Sequence, residues 1–166
     1  MIMAACLFTA SAGSARSVAV DGIDMEAESR RIVSQYKAVT TSPPGKVPAR
    51  LHVDGPILGN GDMGTVISGP PQAQRFWLAK NSFWKLRDDH RQGGPRGIGG
   101  LEVNIPALNG ASYHIEQDIF PAITTSTFTN NESAVTMRSF IPATESMLII
   151  ELSVSGKAVD VDTRMW

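Results

Sequence analysis

A single cysteine, Cys6, stands in 166 residues, so no disulfide can form within the chain. Histidine is scarce as well. His52, His90 and His114 lie far apart, and neither a His-x-x-x-His nor a Cys-x-x-Cys spacing occurs, so no metal site is expected. Neither sign of charge dominates: 15 Lys and Arg face 16 Asp and Glu, a formal net charge of −1. That balance removes the basic stripe that nucleic acid requires. No Gly-x-Ser-x-Gly elbow frames any serine, which removes the usual setting of an α/β-hydrolase nucleophile. Beyond the N-terminal segment no apolar run is long enough to cross a membrane as a helix.

What the chain does have is turns and alternation. Gly 15 and Pro 10 imply many reversals, and 42% hydrophobic residues supply a core. In "LEVNI", Leu101, Val103 and Ile105 share one phase, with Glu102 and Asn104 on the other. In "YHIEQDI", Tyr113, Ile115 and Ile119 oppose His114, Glu116 and Asp118. Asn109-Gly110 between these two runs is a strong short hairpin signal. Asn130-Asn131 and Ser155-Gly156-Lys157 read as two further turns between alternating runs. Period-two segments joined by short turns predict an antiparallel meander, mostly β, in a sandwich with large sheets. Near the N-terminus Asp24 is placed to cap a short helix over 25–37, with Ile32, Val33 and Tyr36 on one side. "TTSPPGKVP", 40–48, reads as an extended arm.

The first residues, "MIMAACLFTASAGSARS", resemble the end of a secretory signal, with cleavage after Ala12 or Ala15, and imply a secreted or periplasmic protein. Cys6 would leave with that segment, and a disordered N-terminus is the other reading. The expected organisation is a signal remnant over 1–15, a helix and arm over 16–47, and a β-sandwich over 48–166. The last strand runs straight to Trp166, so the sandwich is expected to be incomplete, with an unpaired edge.

Gly59-Asn60-Gly61-Asp62-Met63-Gly64 matches the dinucleotide fingerprint G-x-G-x-x-G. The fingerprint works only where a strand precedes it and a helix opens within it, because the helix N-terminus holds the pyrophosphate. Here Pro48 and Pro56 interrupt the upstream strand. Downstream, Thr65, Val66 and Ile67 are β-branched, and Gly69-Pro70-Pro71 stops any helix. The glycines should lead into a strand, and no NAD, FAD or ATP is expected. A tight turn with positive φ at Gly61 or Gly64 is the simpler reading.

For chemistry the carboxylates Asp62, Asp88, Asp89, Glu102, Glu116 and Asp118 are available, but nothing in the pattern walls any of them with apolar residues, so no catalytic pair is named. In "RFWLAKNSFWKL" the aromatics Phe76, Trp77, Phe83 and Trp84 crowd together. At least two should enter the core. The others could stack on the apolar face of a sugar ring, with the Asn81 amide binding hydroxyls.

Five segments in order, "PILGNGDMGTVISG", "RFWLAKNSFWKL", "GGLEVNIP", "YHIEQDIFPAITTSTF" and "MRSFIPATESMLIIELS", resemble the N-terminal domain of glycoside hydrolase family 95. The more distant family 65 has a comparable Gly-Asn-Gly opening. Pro56, Gly59, Asn60, Gly61 and Gly64 match the family's turn, with one extra residue at Leu58. Asn81 and Trp84 match its Asn…Trp segment with spacing shorter by one, and Asp118-Ile119 matches a strand pair. The likeness spans about 46–166. It implies a β-supersandwich followed, in the whole enzyme, by an (α/α)6 barrel that holds the acid and the base. The implied reaction is inverting hydrolysis of α-L-fucosides or related sugars, for which this chain would be inactive alone. Asn60, Asp62, Asn81 and Trp84 are then the candidate residues for substrate or for the junction with the barrel. A free-standing carbohydrate-binding module is the alternative and a purely structural β-domain a third reading, and for the glycine-rich segment a plain turn stays open beside the junction reading.

Overall fold

The computed structural model describes residues 19–20, 23–45, 54–85 and 94–166. The signal-like segment, Pro48, His52, Asp88, Asp89 and His90 lie outside the described residues.

The described residues form an antiparallel β-sandwich with one short α-helix. A two-residue ladder joins β1 (Ala19–Val20) to β2 (Ile23–Asp24). Helix α1 (Met25–Val33) follows at once. Its N-cap is Asp24, as the sequence suggests. The Asp24 carboxylate accepts from the backbone N–H of Glu26 at 3.0 Å and of Ala27 at 3.2 Å, two donors that a helix start leaves orphaned. The helix stops well short of 37, and it buries none of its residues; Ile32 and Tyr36 are exposed. Lys37 instead opens β3 (Lys37–Thr40), so the start of the expected arm is a strand of the sandwich.

The first sheet runs in the order β11, β10, β9, β8, β3. Its strands are β3, β8 (Ser112–Asp118), β9 (Ile123–Thr129), β10 (Ser133–Phe140) and β11 (Ile149–Gly156). The second sheet runs β12, β7, β6, β5, β4. It is built from β4 (Ile57–Gly59), β5 (Met63–Ser68), β6 (Ala73–Lys85), β7 (Gly94–Asn104) and β12 (Asp162–Met165). Every neighbouring pair is antiparallel. Among the described residues the strand β12 lies at the sheet edge and pairs only with β7.

Period-two alternation aims one phase of each strand between the sheets. From the second sheet come Leu58, Ile67, Phe76, Val103 and the adjoining Ile105. From the first come Tyr113, Ile115, Phe128, Val135 and Met137. Burying one such side chain is worth about 1.5–3 kcal/mol, so this double layer is the main force holding the sheets together. Part of the inner layer is polar. The hydroxyls of Thr65, Tyr113, Thr124, Ser126 and Ser139 are buried and have no hydrogen-bond partner among the described residues.

Several further readings of the sequence are corrected. Asn109-Gly110 is a turn, but not a hairpin. It follows a 3-10 turn, η1 (Pro106–Leu108), and carries the chain from β7 in the second sheet to β8 in the first. Leu108 is fully buried and anchors this crossing under the core. Ser155-Gly156-Lys157 also changes sheets, since β11 pairs with β10 while β12 pairs with β7. Asn130-Asn131 does close a hairpin, between β9 and β10. Finally, of the four clustered aromatics only Phe76 is fully buried. Trp77 is half-buried, Phe83 is 51% exposed and Trp84 is 56% exposed. The physical reason is that β6 runs on past the end of β5, whose pairing stops at Lys80, and among the described residues no second layer covers that extension. Ile119, expected inside, lies just beyond β8 and is 50% exposed.

Candidate functional site

The glycine-rich turn joins β4 to β5 at one end of the sandwich. Gly61 has φ 89°, and Gly64 sits in β5 without a positive φ. Only a residue without Cβ adopts the Gly61 conformation at no steric cost, so this one glycine explains the turn. The strand β5 begins at Met63, so the segment after the glycines is extended backbone, not the helix a dinucleotide would need.

Asn60 does more than favour a turn. Its Oδ1 accepts from the backbone N–H of Asp62 at 3.1 Å and of Met63 at 2.9 Å. Its Nδ2 donates to the carbonyls of Pro142 at 2.9 Å and Glu145 at 3.0 Å, in the loop between β10 and β11. All four hydrogen-bonding positions of the carboxamide are therefore used inside the domain. Asp62 reaches the same loop. Its carboxylate accepts from the Lys80 ammonium on β6 and from the Ser146 hydroxyl. The hydrogen bond from Lys80, then that from Ser146, holds the Asp62 carboxyl below its ordinary value. Asn60 and Asp62 thus tie the second sheet to a loop of the first. Gln117 of β8 adds a third tie, donating to the Ile57 carbonyl.

The sequence signals bring all four candidate residues to this end. The backbone N–H of Asn81 donates to the Asp62 carbonyl at 2.7 Å, and the Trp84 indole N–H donates to the Asn81 carbonyl. Beside the turn lies an open depression of about 290 Å³, lined by Ile57, Gly61, Asp62, Met63, Lys80 and Asn81 among others. Trp84 lies beyond that lining. It belongs to a two-stranded ribbon in which Trp84 pairs with Pro95 and Lys85 with Gly94, past a break in the β6–β7 register. The loop residues Pro142, Glu145 and Ser146, more than 60 positions along the chain from Asn60, Asp62 and Lys80, carried no local signal that linked them to the turn.

Of the other carboxylates, Asp118 accepts from the backbone N–H of Phe120 at 3.2 Å, and several meet cations. Lys37 binds Glu116 at 2.6 Å and lowers its pKa. Arg75 binds Glu102 at 2.7 Å, and Arg138 binds Glu151 at 2.7 Å. A general acid needs its pKa raised by an apolar site, and for Asp62 and Glu116 the shift runs the opposite way. The side chain of His114 is exposed on β8. Among the described residues no group of three His, Cys, Asp or Glu side chains is close enough to hold a metal ion, and no helix is long and apolar enough to cross a membrane.

No family model matches the chain, and no curated protein matches it.

Proposed function

We propose that this chain is the N-terminal β-sandwich portion of an exported glycoside hydrolase acting on α-L-fucosides or related sugars, with the acid and base supplied by an (α/α)6 barrel encoded outside it. The observation that carries the reading is the end of the sandwich around Gly59–Gly64. There a rigidly tied turn, an open depression and an uncovered ribbon with exposed Phe83 and Trp84 lie together. Large aromatics left in water suit a surface that a neighbouring domain or a sugar covers. In this reading Asn60 and Asp62 position the turn, while Asn81 and Trp84 meet the barrel or the sugar. The domain lends shape to the site and leaves the proton transfers to its neighbour.

The exposed Trp84 also suits a free-standing carbohydrate-binding module. The test compares the chain alone with the chain continued into the sequence that follows it in its gene, both assayed on an aryl α-L-fucoside. Turnover with inversion by the longer product only supports the reading. A longer product that lacks a helical barrel, together with saturable sugar binding by the chain alone, replaces it with the binding module.

A further inference from the structure

A second constellation lies on the outer face of the second sheet, away from the glycine-rich turn. Two neighbouring rows cross β6, β7 and β12. In one, Arg75 stands opposite Glu102, and Glu102 opposite Arg164. In the next row on the same face, Trp77 stands opposite Gly100. Trp166 completes that row, exchanging backbone hydrogen bonds with Gly100 at 3.1 and 3.2 Å. The two indoles meet edge to face, centroids 5.4 Å apart and planes at 81°. The Trp77 N–H is fixed by the Ser68 hydroxyl at 2.7 Å.

Gly100 is what makes the arrangement possible. A Cβ there would stand 2.2 Å from the Trp166 ring, so the ring lies on the bare backbone. A glycine inside a strand weakens the strand, and here its place is filled by an aromatic that stays 47% exposed. The result is a cavity of about 240 Å³ lined by Arg75, Trp77, Glu102, Arg164 and Trp166. That is below the range of about 300–1,000 Å³ typical of drug-sized ligands and suits one ring of a larger chain. Its charges do not cancel. Glu102 is engaged by Arg75 at 2.7 Å, while Arg164 has no ion-pair partner among the described residues. An indole wall takes the apolar face of a pyranose, and a free guanidinium takes a carboxylate in paired hydrogen bonds.

The geometry points to a binding site for an acidic sugar, a hexuronate unit of a polysaccharide, seated between the Trp77–Trp166 pair and Arg164. The ring packs on the indoles, the carboxylate meets Arg164, and the Arg75–Glu102 pair offers donors and acceptors to hydroxyls. This site is independent of the reading given for the other end of the domain.

The test is a titration of the full chain, followed by tryptophan fluorescence in a Trp84→Phe background so that only the paired indoles report. The probes are an oligogalacturonide, the neutral maltotriose, and sodium acetate at equal carboxylate concentration. The expected result is a saturable change with the oligogalacturonide alone, weakened about tenfold by Arg164→Gln with the melting temperature unchanged. Arg164→Lys should restore part of the affinity. The proposal is overturned by no saturable change with any probe, by equal binding of maltotriose, by an equal response to acetate, or by an Arg164→Gln protein that binds as well as the parent.

Discussion

The two ends of the sandwich are closed by the same device and differ in what surrounds it. At one end Asn60 accepts from the N–H groups two and three residues on and donates to the loop between β10 and β11. At the other, Asn130 accepts from Glu132 at 3.0 Å and Ser133 at 2.9 Å and donates to the Ala107 carbonyl at 2.7 Å, in η1. A carboxylate two residues later meets a lysine in both: Asp62 with Lys80, Glu132 with Lys157. Yet the Asn130 end is sealed by the buried Leu108, whereas the Asn60 end opens into a depression and an exposed aromatic ribbon. An asparagine clamp is thus a general way to join the sheets, and function is read from what lies beside it.

The largest expected contrast follows from the bonds each clamp makes. Asn60→Ala removes four hydrogen bonds and takes a donor from two loop carbonyls, which should cost about 4 kcal/mol in urea unfolding, at roughly 1 kcal/mol for each bond. Asn130→Ala removes three and should cost about 3 kcal/mol on the same basis. Equal, negligible losses at both sites would show that packing alone joins the sheets.

The ends should also answer to opposite extremes of pH. Tyr113, at the Asn130 end, is buried beside Phe128 with its hydroxyl unpaired, and burial pushes its pKa from 10.0 to about 12. A raised pKa means that the unfolded chain loses this proton first. The associated stability is whole below pH 10 and is lost as pH climbs toward about 12. The loss should reach about 2–3 kcal/mol at about 1.4 kcal/mol per unit. Tyr113→Phe should abolish that alkaline loss and, by removing an orphaned hydroxyl, leave the neutral-pH protein as stable or more so.

Much of this was legible in the sequence, for reasons that also mark where it stopped. Alternation in "LEVNI" and in β8 to β10 identified the inward phases, because burying one face imposes a period of two. Asp24 marked the helix start, because its side chain competes for the orphaned amide groups. Gly61 marked the turn. Sheet membership was not legible. A turn signal such as Asn109-Gly110 says only that the chain reverses, and the choice between a hairpin and a sheet crossing is made by Leu108 and the distant partners β6 and β9. The partners of Asn60 lie 82 and 85 residues away, and the Trp77–Trp166 pair is assembled only by the β7–β12 crossing. No local pattern carries such distances.

A smaller effect separates the turns by backbone. Gly61 has φ 89° with open space around a would-be Cβ, so Gly61→Val should cost somewhat over about 1 kcal/mol through strain alone. Asn131, at the matching place in the other turn, has no positive φ, and Asn131→Val should change stability by less than about 0.5 kcal/mol. If both cost the same, turn geometry does not distinguish the ends.

The smallest effect is acidic. Asp62 is held below its ordinary value of 3.8 by Lys80 and Ser146, so its contribution is present above that value and is lost as pH falls through the lowered one. The Asp62 side chain is 49% exposed and that of Lys80 36%, so the effect should be modest and should fade in high salt. Melting temperatures of the parent and of Asp62→Asn should differ at neutral pH and converge in acid. A constant gap across pH would remove Asp62 from the junction.

The central proposal is that this domain shapes a sugar-binding end and leaves hydrolysis to a neighbouring domain. Inverting hydrolysis needs a raised acid and a base about 6.5–9.5 Å apart across the ring, whereas Asp62 and Glu116 are both lowered by lysines. The direct measurement is release of the aryl group from an aryl α-L-fucoside by the purified 166-residue chain, followed through the acid and neutral range. The account predicts no release above the buffer rate. Robust turnover that disappears in Asp62→Asn, Glu116→Gln or Asp118→Asn would contradict it.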